Sequence, residues 1–290
     1  MLRRFSQESF DVAPLEIRLF GELQLARSGV APVAFPTRKA RSILGFLALE
    51  RHKPHFRDKL AEWFWPEAAP GQSRAALRTE LWRIRLTLAR FGVNPRHYLD
   101  AGQDTIRFRA LAPLLMDVEL FETAVDHPGH EADVLALYRA DLLEGEYGDW
   151  CRYPRDSLRA RFVDALERMM DTAMAGGDFR AAVALGMRLL GLDPLAEHVH
   201  RNLMTCHAAR GNRPAALRQY AACASLLEHE LNVEPMSETR ALFDAIRGPG
   251  GSAHDDQRDG DVDAALQLAR TALTEATRRL DRAIRDGCTP

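Results

Sequence analysis

The spacing of hydrophobic positions changes along the chain, from alternation near the start to a period of three to four residues over most of the rest. Five aliphatic residues of two short segments fall on one face: Leu15, Ile17, Leu19, Leu23 and Leu25. Alternation of this kind, broken by Gly21, predicts a short pair of strands. After a turn at residues 27–29, the segment VAPVAF at 30–35 predicts a third strand.

Three helices are predicted after these strands. The first begins near Thr37, whose hydroxyl can cap it. The second covers about Arg57 to Phe64, because the proline of Trp65-Pro66 disfavours a helical residue before it. The third extends from its N-cap, Ser73, to about Arg90, since glycine and proline follow at residues 92 and 95.

A hairpin is predicted next, at residues 97–110 with the sequence HYLDAGQDTIRFRA. Ile106 and Phe108 alternate with arginines after the AGQD turn. Strands, three helices and a hairpin are the order of a winged helix-turn-helix. We place this domain at residues 15–112, after a short polar leader at 1–14.

From Asp117 onward the pattern predicts helices alone. The helical periods cover residues 119–125, 131–143, 155–176, 179–192, 196–211, 214–231 and 237–246. The sequence GDFRAA at Gly177–Ala182 recurs as GNRPAA at Gly211–Ala216, an offset of 34 residues. This is the period of tetratricopeptide hairpins, which stack and leave a concave surface. The alternative is an ordinary helical bundle with similar turns.

The expected fold class is therefore mainly α with a small β component. An N-terminal winged helix-turn-helix is followed by an α-helical tetratricopeptide-like repeat domain at residues 113–247. Residues 248–261 have the composition of a flexible linker. Residues 262–286 have the period of a lone amphipathic helix, which either pairs with a second copy or docks on the body of the protein.

The charge of the chain is unevenly distributed. The 290 residues are 46% hydrophobic and 28% charged, as in globular proteins, with a formal net charge of −2. Between Pro36 and Ala110, however, there are 15 Lys and Arg residues against 7 Asp and Glu residues, whereas the rest has 24 against 34. A basic module beside an acidic body indicates that one part contacts a polyanion.

The cysteines and the hydropathy indicate the cellular compartment. Cys151, Cys206, Cys223 and Cys288 show no CxxC spacing, so we interpret them as buried or incidental thiols in a reducing compartment. The chain has neither an apolar run long enough to span a bilayer nor an N-terminal apolar segment of the signal-peptide type. We expect a cytoplasmic protein without membrane contact.

The third helix carries the candidate DNA-contacting residues. Its apolar seam consists of Leu77, Leu81, Ile84 and Leu88, within about 60° of arc at 100° per residue. Six residues lie opposite the seam or at its flanks and could contact bases or phosphates: Arg74, Arg78, Thr79, Trp82, Arg83 and Arg85. A tryptophan such as Trp82 is more often a packing residue, at a protein contact or against the sugar-phosphate edge, than a base reader. A merely solvated basic face is the general alternative.

The hairpin and the first helix add further arginines. Arg107 and Arg109 match a wing that contacts the minor groove or nearby phosphates. Arg38, Lys39 and Arg41 are either clamps on the DNA backbone or surface charges.

Four segments in order resemble the winged helix of bacterial activators of the AfsR/SARP type: IRLFGELQL, TRKARSILGFLAL, RDKLAEWFWPEA and SRAALRTELWRIRLTL. The segments YRADLLEGEYGDW and ALRQYAACASLLEHELNVEPMSETRALFDAI are similar to the bacterial transcriptional activation domain of that family. The second segment contains Tyr220, a turn with Glu230-Leu231 and Glu234-Pro235, and a closing helix from Ser237 to Ile246. The resemblance covers roughly residues 15–247.

This resemblance implies sequence-specific binding to direct repeats near promoters and recruitment of RNA polymerase. It places the DNA-reading helix at Ser73–Arg90. Glu80 and Trp82 depart from the family pattern and put its base preference in doubt. The expected partners are double-stranded DNA, RNA polymerase, a second copy of the chain on DNA, and an unknown ligand or protein on the repeat surface.

No enzyme, cofactor or metal site is expected. The sequence lacks a G-x-x-x-x-G-K-[ST] phosphate loop, a nucleophile elbow and an HExxH motif. The pairs His127/His130, His198/His200 and Cys206-His207 are spacings that chance alone supplies in a chain of this length. The alternative functions are a helical-repeat adaptor whose winged helix is a docking unit, and a regulatory subunit of a separate enzyme.

Overall fold

The structure is a computed structural model that describes residues 13–31, 33–51 and 53–248. The chain divides into two compact units, one up to Leu192 and the other from Asp193. Most of the predicted leader and linker, together with the C-terminal helix at 262–286, lie outside the described residues.

The first sheet has three strands in the order β2-β1-β6. Strands β1 (Leu15–Arg18) and β2 (Gln24–Ala26) are antiparallel, and the five aliphatic residues predicted to share a face are all buried. Strand β6 (Leu114–Met116), which the periodicity did not predict, pairs with β1 in parallel. The third strand predicted at 30–35 is wrong in the described part of that segment, because the prolines at 32 and 36 cannot donate to a ladder.

Asp117 links the first sheet to the helices that follow. Its buried carboxylate accepts hydrogen bonds from the backbone N–H groups of Leu19, Phe20 and Val118, at 2.8 to 3.0 Å. Burial raises the pKa of Asp117, and these hydrogen bonds, together with the charge of Arg139, oppose that rise. The carboxylate thereby fixes the end of β1 against the N-terminus of the next helix.

Three helices and a second sheet, ordered β3-β5-β4, form the winged helix expected from the sequence. The helices are α1 (Arg38–Leu49), α2 (Arg57–Phe64) and α3 (Pro70–Arg90). The strands are β3 (His55–Phe56), β4 (Leu99–Ala101) and β5 (Thr105–Phe108), and a 3-10 turn at Pro95–His97 precedes β4. The hairpin is confirmed, with Ile106 and Phe108 fully buried.

The ends of these helices follow local chemistry. Thr37 caps α1 as predicted, its hydroxyl accepting from the N–H of Ala40 at 3.1 Å. Helix α3 begins at Pro70 rather than Ser73, because a proline at the first helical position removes only an N–H that has no helical partner. Ser73 lies inside the first turn and donates to the carbonyl of Pro70 at 3.0 Å.

Four helices complete the first unit: α4 (Asp117–Val125), α5 (Glu131–Leu137), α6 (Asp149–Ala175) and α7 (Phe179–Leu192). The predicted helix at 131–143 is too long, because Leu143 donates its N–H to the carbonyl of Leu19 at 2.8 Å instead of continuing α5. Helix α6 starts six residues before the predicted Arg155. Its buried face continues past Pro154 to Cys151, and that burial outweighs the missing proline N–H.

The second unit contains α8 (Glu197–Ala209), α9 (Arg213–Leu231) and α10 (Ser237–Arg247). The rings of Tyr220 on α9 and Phe243 on α10 stack with centroids 4.1 Å apart. Glu197 accepts the backbone N–H of Met236 at 2.6 Å. These contacts fix the closing helix within its own unit.

The two members of the predicted repeat have the same turn geometry. Gly177 and Gly211 have φ values of 72° and 71°, a region that favours glycine. The next residue, Asp178 or Asn212, donates its N–H five residues back at 2.8 or 2.9 Å, and its side chain caps the following helix. The repeat in sequence is therefore a repeat of the helix–turn–helix unit.

Burial of the thiols agrees with the sequence prediction for the three described cysteines. Cys151, Cys206 and Cys223 are free and buried, and Cys288 lies outside the described residues. No helix in the described part of the chain is both long and apolar enough to cross a membrane.

Candidate nucleic-acid interface

Helix α3 has a buried seam and an exposed face, as predicted. Leu77, Leu81, Ile84 and Leu88 are at most 1% exposed. Opposite them, Trp82 is 59% exposed, and Arg78, Thr79 and Leu86 are also exposed. An exposed tryptophan on this face is available to a partner, because it does not pack into the protein core.

Arg57 lies beside the turn of the β4–β5 hairpin, within electrostatic range of two arginines of α3. Arg57, the first residue of α2, donates its Nε to the carbonyl of Gly102 at 2.9 Å. Burial and then the charges of Arg85 and Arg78 lower the pKa of Arg57, and Asp104 opposes this effect. We call Arg57, Arg78 and Arg85 the arginine cluster.

The arginine cluster lacks a close acidic partner. Within the residues that the structure describes, none of its three guanidinium groups has a carboxylate oxygen within 4.0 Å. Guanidinium groups that are not held in an ion pair can bind an external anion, and phosphate fits a guanidinium in a bidentate geometry. The cluster is therefore the part of this surface best suited to a DNA phosphate.

Arg74 differs from the arginine cluster because it already has a partner. Its Nε and Nη2 donate to the two carboxylate oxygens of Asp58, at 2.6 and 2.5 Å. The hydrogen bond and then the charge of Asp58 raise the pKa of Arg74. The predicted site residue is exposed on α3, but its charge is compensated within the protein.

Arg83 is also paired, through a buried network. Glu80 is 7% exposed and accepts from Arg83 Nη1 at 2.6 Å and from the Thr37 hydroxyl at 2.5 Å. The network connects α3 to the cap of α1. Glu80, which departs from the family pattern, therefore lies against the scaffold and not on the exposed face.

The hairpin arginines share a single acid. Arg107 Nη2 and Arg109 Nη1 lie 3.6 and 3.7 Å from the same oxygen of Asp100. The Nε atoms of both arginines are buried and have no hydrogen-bond partner among the described residues. Two guanidinium groups beside one carboxylate leave a positive charge on the hairpin.

The basic residues of α1 are hydrogen-bonded or ion-paired to other groups of the same chain. Arg38 donates to the carbonyl of Gly145, Lys39 donates to the carbonyl of Phe64 at 2.6 Å, and Arg41 lies 3.3 Å from Glu22. Of the two alternatives for these residues, the structure favours charges engaged within the protein.

The histidine and cysteine pairs weighed as metal ligands make other contacts. His127 Nδ1 lies 2.7 Å from the carbonyl of Thr123, and His200 lies close to Gln219 and to the carbonyl of Pro194. In the described segments, no three His, Cys, Asp or Glu side chains are grouped to hold a metal ion.

Residues 120–247 match the family model "Bacterial transcriptional activator domain". The chain is 25% identical over 251 residues to the transcriptional regulatory protein MoaR1 of Mycobacterium bovis, covering 80% of this chain and 79% of that protein. It is 26% identical to the regulatory protein AfsR of Streptomyces coelicolor, covering 83% of this chain. The chain is therefore similar to regulators of the AfsR/SARP type. It spans only 25% of the length of AfsR itself.

A solved structure supports the fold of the chain. Mycobacterium tuberculosis EmbR, in complex with a low-affinity phosphopeptide, superimposes with a TM-score of 0.62 at 23% identity. The match covers 90% of this chain and 71% of that chain. It confirms a winged helix followed by a helical domain.

Arg57 is the one member of the arginine cluster that the sequence analysis did not identify. Arg57 stands at the start of a different helix, and no periodicity connects it with Arg78 or Arg85. The sequence did contain a signal: three basic residues, at 51, 53 and 57, lie shortly before α2 or at its first position. Only the fold shows which of them faces α3.

Proposed function

We propose that this chain is a sequence-specific, DNA-binding transcriptional activator. In this proposal it binds direct repeats near promoters as more than one copy and contacts RNA polymerase. The observation that carries the proposal is the arginine cluster, in which Arg78 and Arg85 of α3 lie within electrostatic range of Arg57 and none of the three forms an ion pair within 4.0 Å among the described residues. The likeness to MoaR1 and AfsR supports regulation of transcription.

The exposed face of α3 supplies the base-contacting part of the proposal. A helix of this width fits the major groove, and Thr79 and Trp82 present a methyl group and an aromatic ring there. The arginine cluster fixes the helix against the phosphates on one flank, while Arg107 and Arg109 extend the contact from the hairpin. In this proposal the protein acts by binding DNA and not by turning over a substrate.

Fluorescence anisotropy with a labelled fragment of the chain's own upstream region tests the proposal. Arg78→Ala and Arg85→Ala should each weaken binding by about 1–3 kcal/mol and reduce the salt slope by about 1. Arg180→Ala is the matched control, since Arg180 is an exposed arginine on α7 outside the winged helix.

Two results would contradict the proposal. If the wild-type chain does not bind this fragment at low salt, or if all three variants bind equally well, the winged helix does not act on DNA. Retention of a protein partner on the helical repeats in the absence of DNA would then favour the adaptor function.

A further inference from the structure

A cleft whose lining residues all lie outside α3 is found within the first unit. It encloses about 790 Å³ and is lined by the N-terminal turns of α1, the end of α2 and the segment before and at the start of α6. Four aromatic side chains form its walls: Trp63, Phe64, Tyr147 and Trp150. We call it the aromatic cleft. Its volume is in the range of pockets that hold small organic molecules.

Two of the four aromatic residues of the cleft are largely exposed. Trp63 is 57% exposed and Tyr147 is 82% exposed, although large aromatic residues usually bury most of their surface. Trp63 and Trp150 pack edge-on against Phe46, at centroid distances of 5.6 and 5.5 Å. The T-shaped packing holds both indoles against Phe46, and more than half of the Trp63 surface stays open to a ligand.

A buried carboxylate lies in the same cleft. Glu146 is 7% exposed, and its Oε2 accepts from the Ser42 hydroxyl at 2.7 Å. Its Oε1 is buried and has no hydrogen-bond donor among the described residues. The Nε of Arg38 lies 4.0 Å away, too far for a hydrogen bond. A buried acceptor without a donor is costly, so this oxygen favours a ligand that carries one.

The protein's own cations show the chemistry that these walls accept. The guanidinium of Arg38 lies 5.6 Å from the Tyr147 centroid, and Lys39 Nζ lies 5.8 and 5.6 Å from Phe64 and Trp65. In the described part of the chain, no such cation lies over Trp63 or Trp150. Tryptophan is the ring that attracts cations most strongly.

We propose that the aromatic cleft binds a small organic amine with an aromatic or alicyclic ring. Its ammonium group donates to Glu146 Oε1, and its ring lies against Trp63 and Trp150. Arg38 is the side chain that moves to admit the ligand, since it is 59% exposed and its hydrogen bond to the carbonyl of Gly145 is open to solvent. The ligand contacts α1 and α2 of the winged helix and also the segment leading into α6, as an effector that links the two parts would.

Ring-bearing fragments of different charge test this assignment on the full chain without DNA, so the result is independent of the proposed DNA binding. Phenethylamine, phenethyl alcohol and hydrocinnamate serve as cationic, neutral and anionic probes in ligand-observed NMR titrations. We expect the amine to bind at least about tenfold more tightly than the alcohol, the gain of one charge-assisted hydrogen bond. Hydrocinnamate should bind most weakly.

Two variants with opposite expected effects ensure that a folding defect is not mistaken for loss of the ligand site. Glu146→Gln should remove the preference for the amine, whereas Arg38→Ala should increase amine affinity because it opens the carboxylate. Glu144→Gln is the matched control, because it removes the same charge from an exposed position two residues away. The proposal is overturned if the amine has no advantage over the alcohol, or if Glu146→Gln and Glu144→Gln behave alike.

Discussion

The guanidinium of Arg74 and the carboxylate of Asp58 form a bidentate ion pair between α3 and α2, with distances of 2.6 and 2.5 Å. Both side chains are more than half exposed. An exposed pair of this kind contributes little to stability, but it withholds a cation from any polyanion that approaches the helix. The pair therefore separates Arg74 from the arginine cluster in function.

The first prediction concerns this pair. Asp58→Asn releases Arg74, so DNA binding should strengthen at low salt and the salt slope should steepen by about 0.9, the effect of one more phosphate contact. Glu62→Gln, at an exposed position of the same helix, makes the same change in net charge without releasing Arg74. Equal effects of the two substitutions in anisotropy titrations would refute a specific role for the pair.

The second prediction concerns Thr37, which caps α1 and donates to the buried Glu80 at 2.5 Å. Thr37→Val removes both interactions and leaves a buried carboxylate oxygen without this donor. The free energy of unfolding should fall by about 1–3 kcal/mol in urea denaturation. Thr123→Val, at an exposed site on α4, should change it by less than about 0.5 kcal/mol. A Thr37 variant as stable as the wild type would show that the network does not support α3.

The third prediction uses the glycines of the repeated turn. Alanine at Gly177 or Gly211 must adopt a left-handed conformation although space is open, so each substitution should destabilise the chain by about 1 kcal/mol. Gly191 lies inside α7 with open space and no positive φ, so Gly191→Ala should stabilise it by about 0.5–1 kcal/mol. Thermal denaturation of the three variants checks these opposite signs, and a shared sign would contradict the assigned turn geometry.

The fourth prediction concerns thiol reactivity. Burial and then the charge of Glu197 raise the pKa of Cys223 to about 11, and burial also raises the pKa values of Cys151 and Cys206. Because the thiolate is the nucleophile, these thiols should stay protonated and unreactive toward Ellman's reagent at about pH 8. In a Cys288→Ser background, reaction should require denaturant. Rapid labelling of the native variant would contradict the burial of these cysteines.

Periodicity predicted the parts of the fold that local burial determines. The alternation in β1 and β2, the apolar seam of α3 and the hairpin pattern at 106 and 108 each place apolar residues on the buried face. The recurring Gly-Asp and Gly-Asn turns were also evident, because a left-handed glycine and a side-chain cap are local features. These local parts of the winged helix and of the helical repeats could be predicted from the sequence pattern.

Features that depend on long-range pairing were not predicted. Leu142 and Leu143 fit a helical period, yet they pair with the end of β1 instead. Strand β6 has three residues and too little alternation to be distinguished from a loop. At the interface, the sequence indicated the exposed arginines but not their partners, so Arg74 and Arg83 were grouped with Arg78 and Arg85. Intramolecular ion pairs depend on tertiary packing, which one sequence does not specify.

The parallel pairing of β1 with β6 sets an order of events during synthesis. Leu15 pairs with Leu114, and Leu19 donates to Asp117 across 98 residues. Contacts this distant in sequence form late in folding, because the intervening loop must be closed first. During synthesis on the ribosome, one edge of β1 therefore stays unpaired until the first residues of α4 have emerged. The winged helix is completed only when synthesis of the next domain has begun.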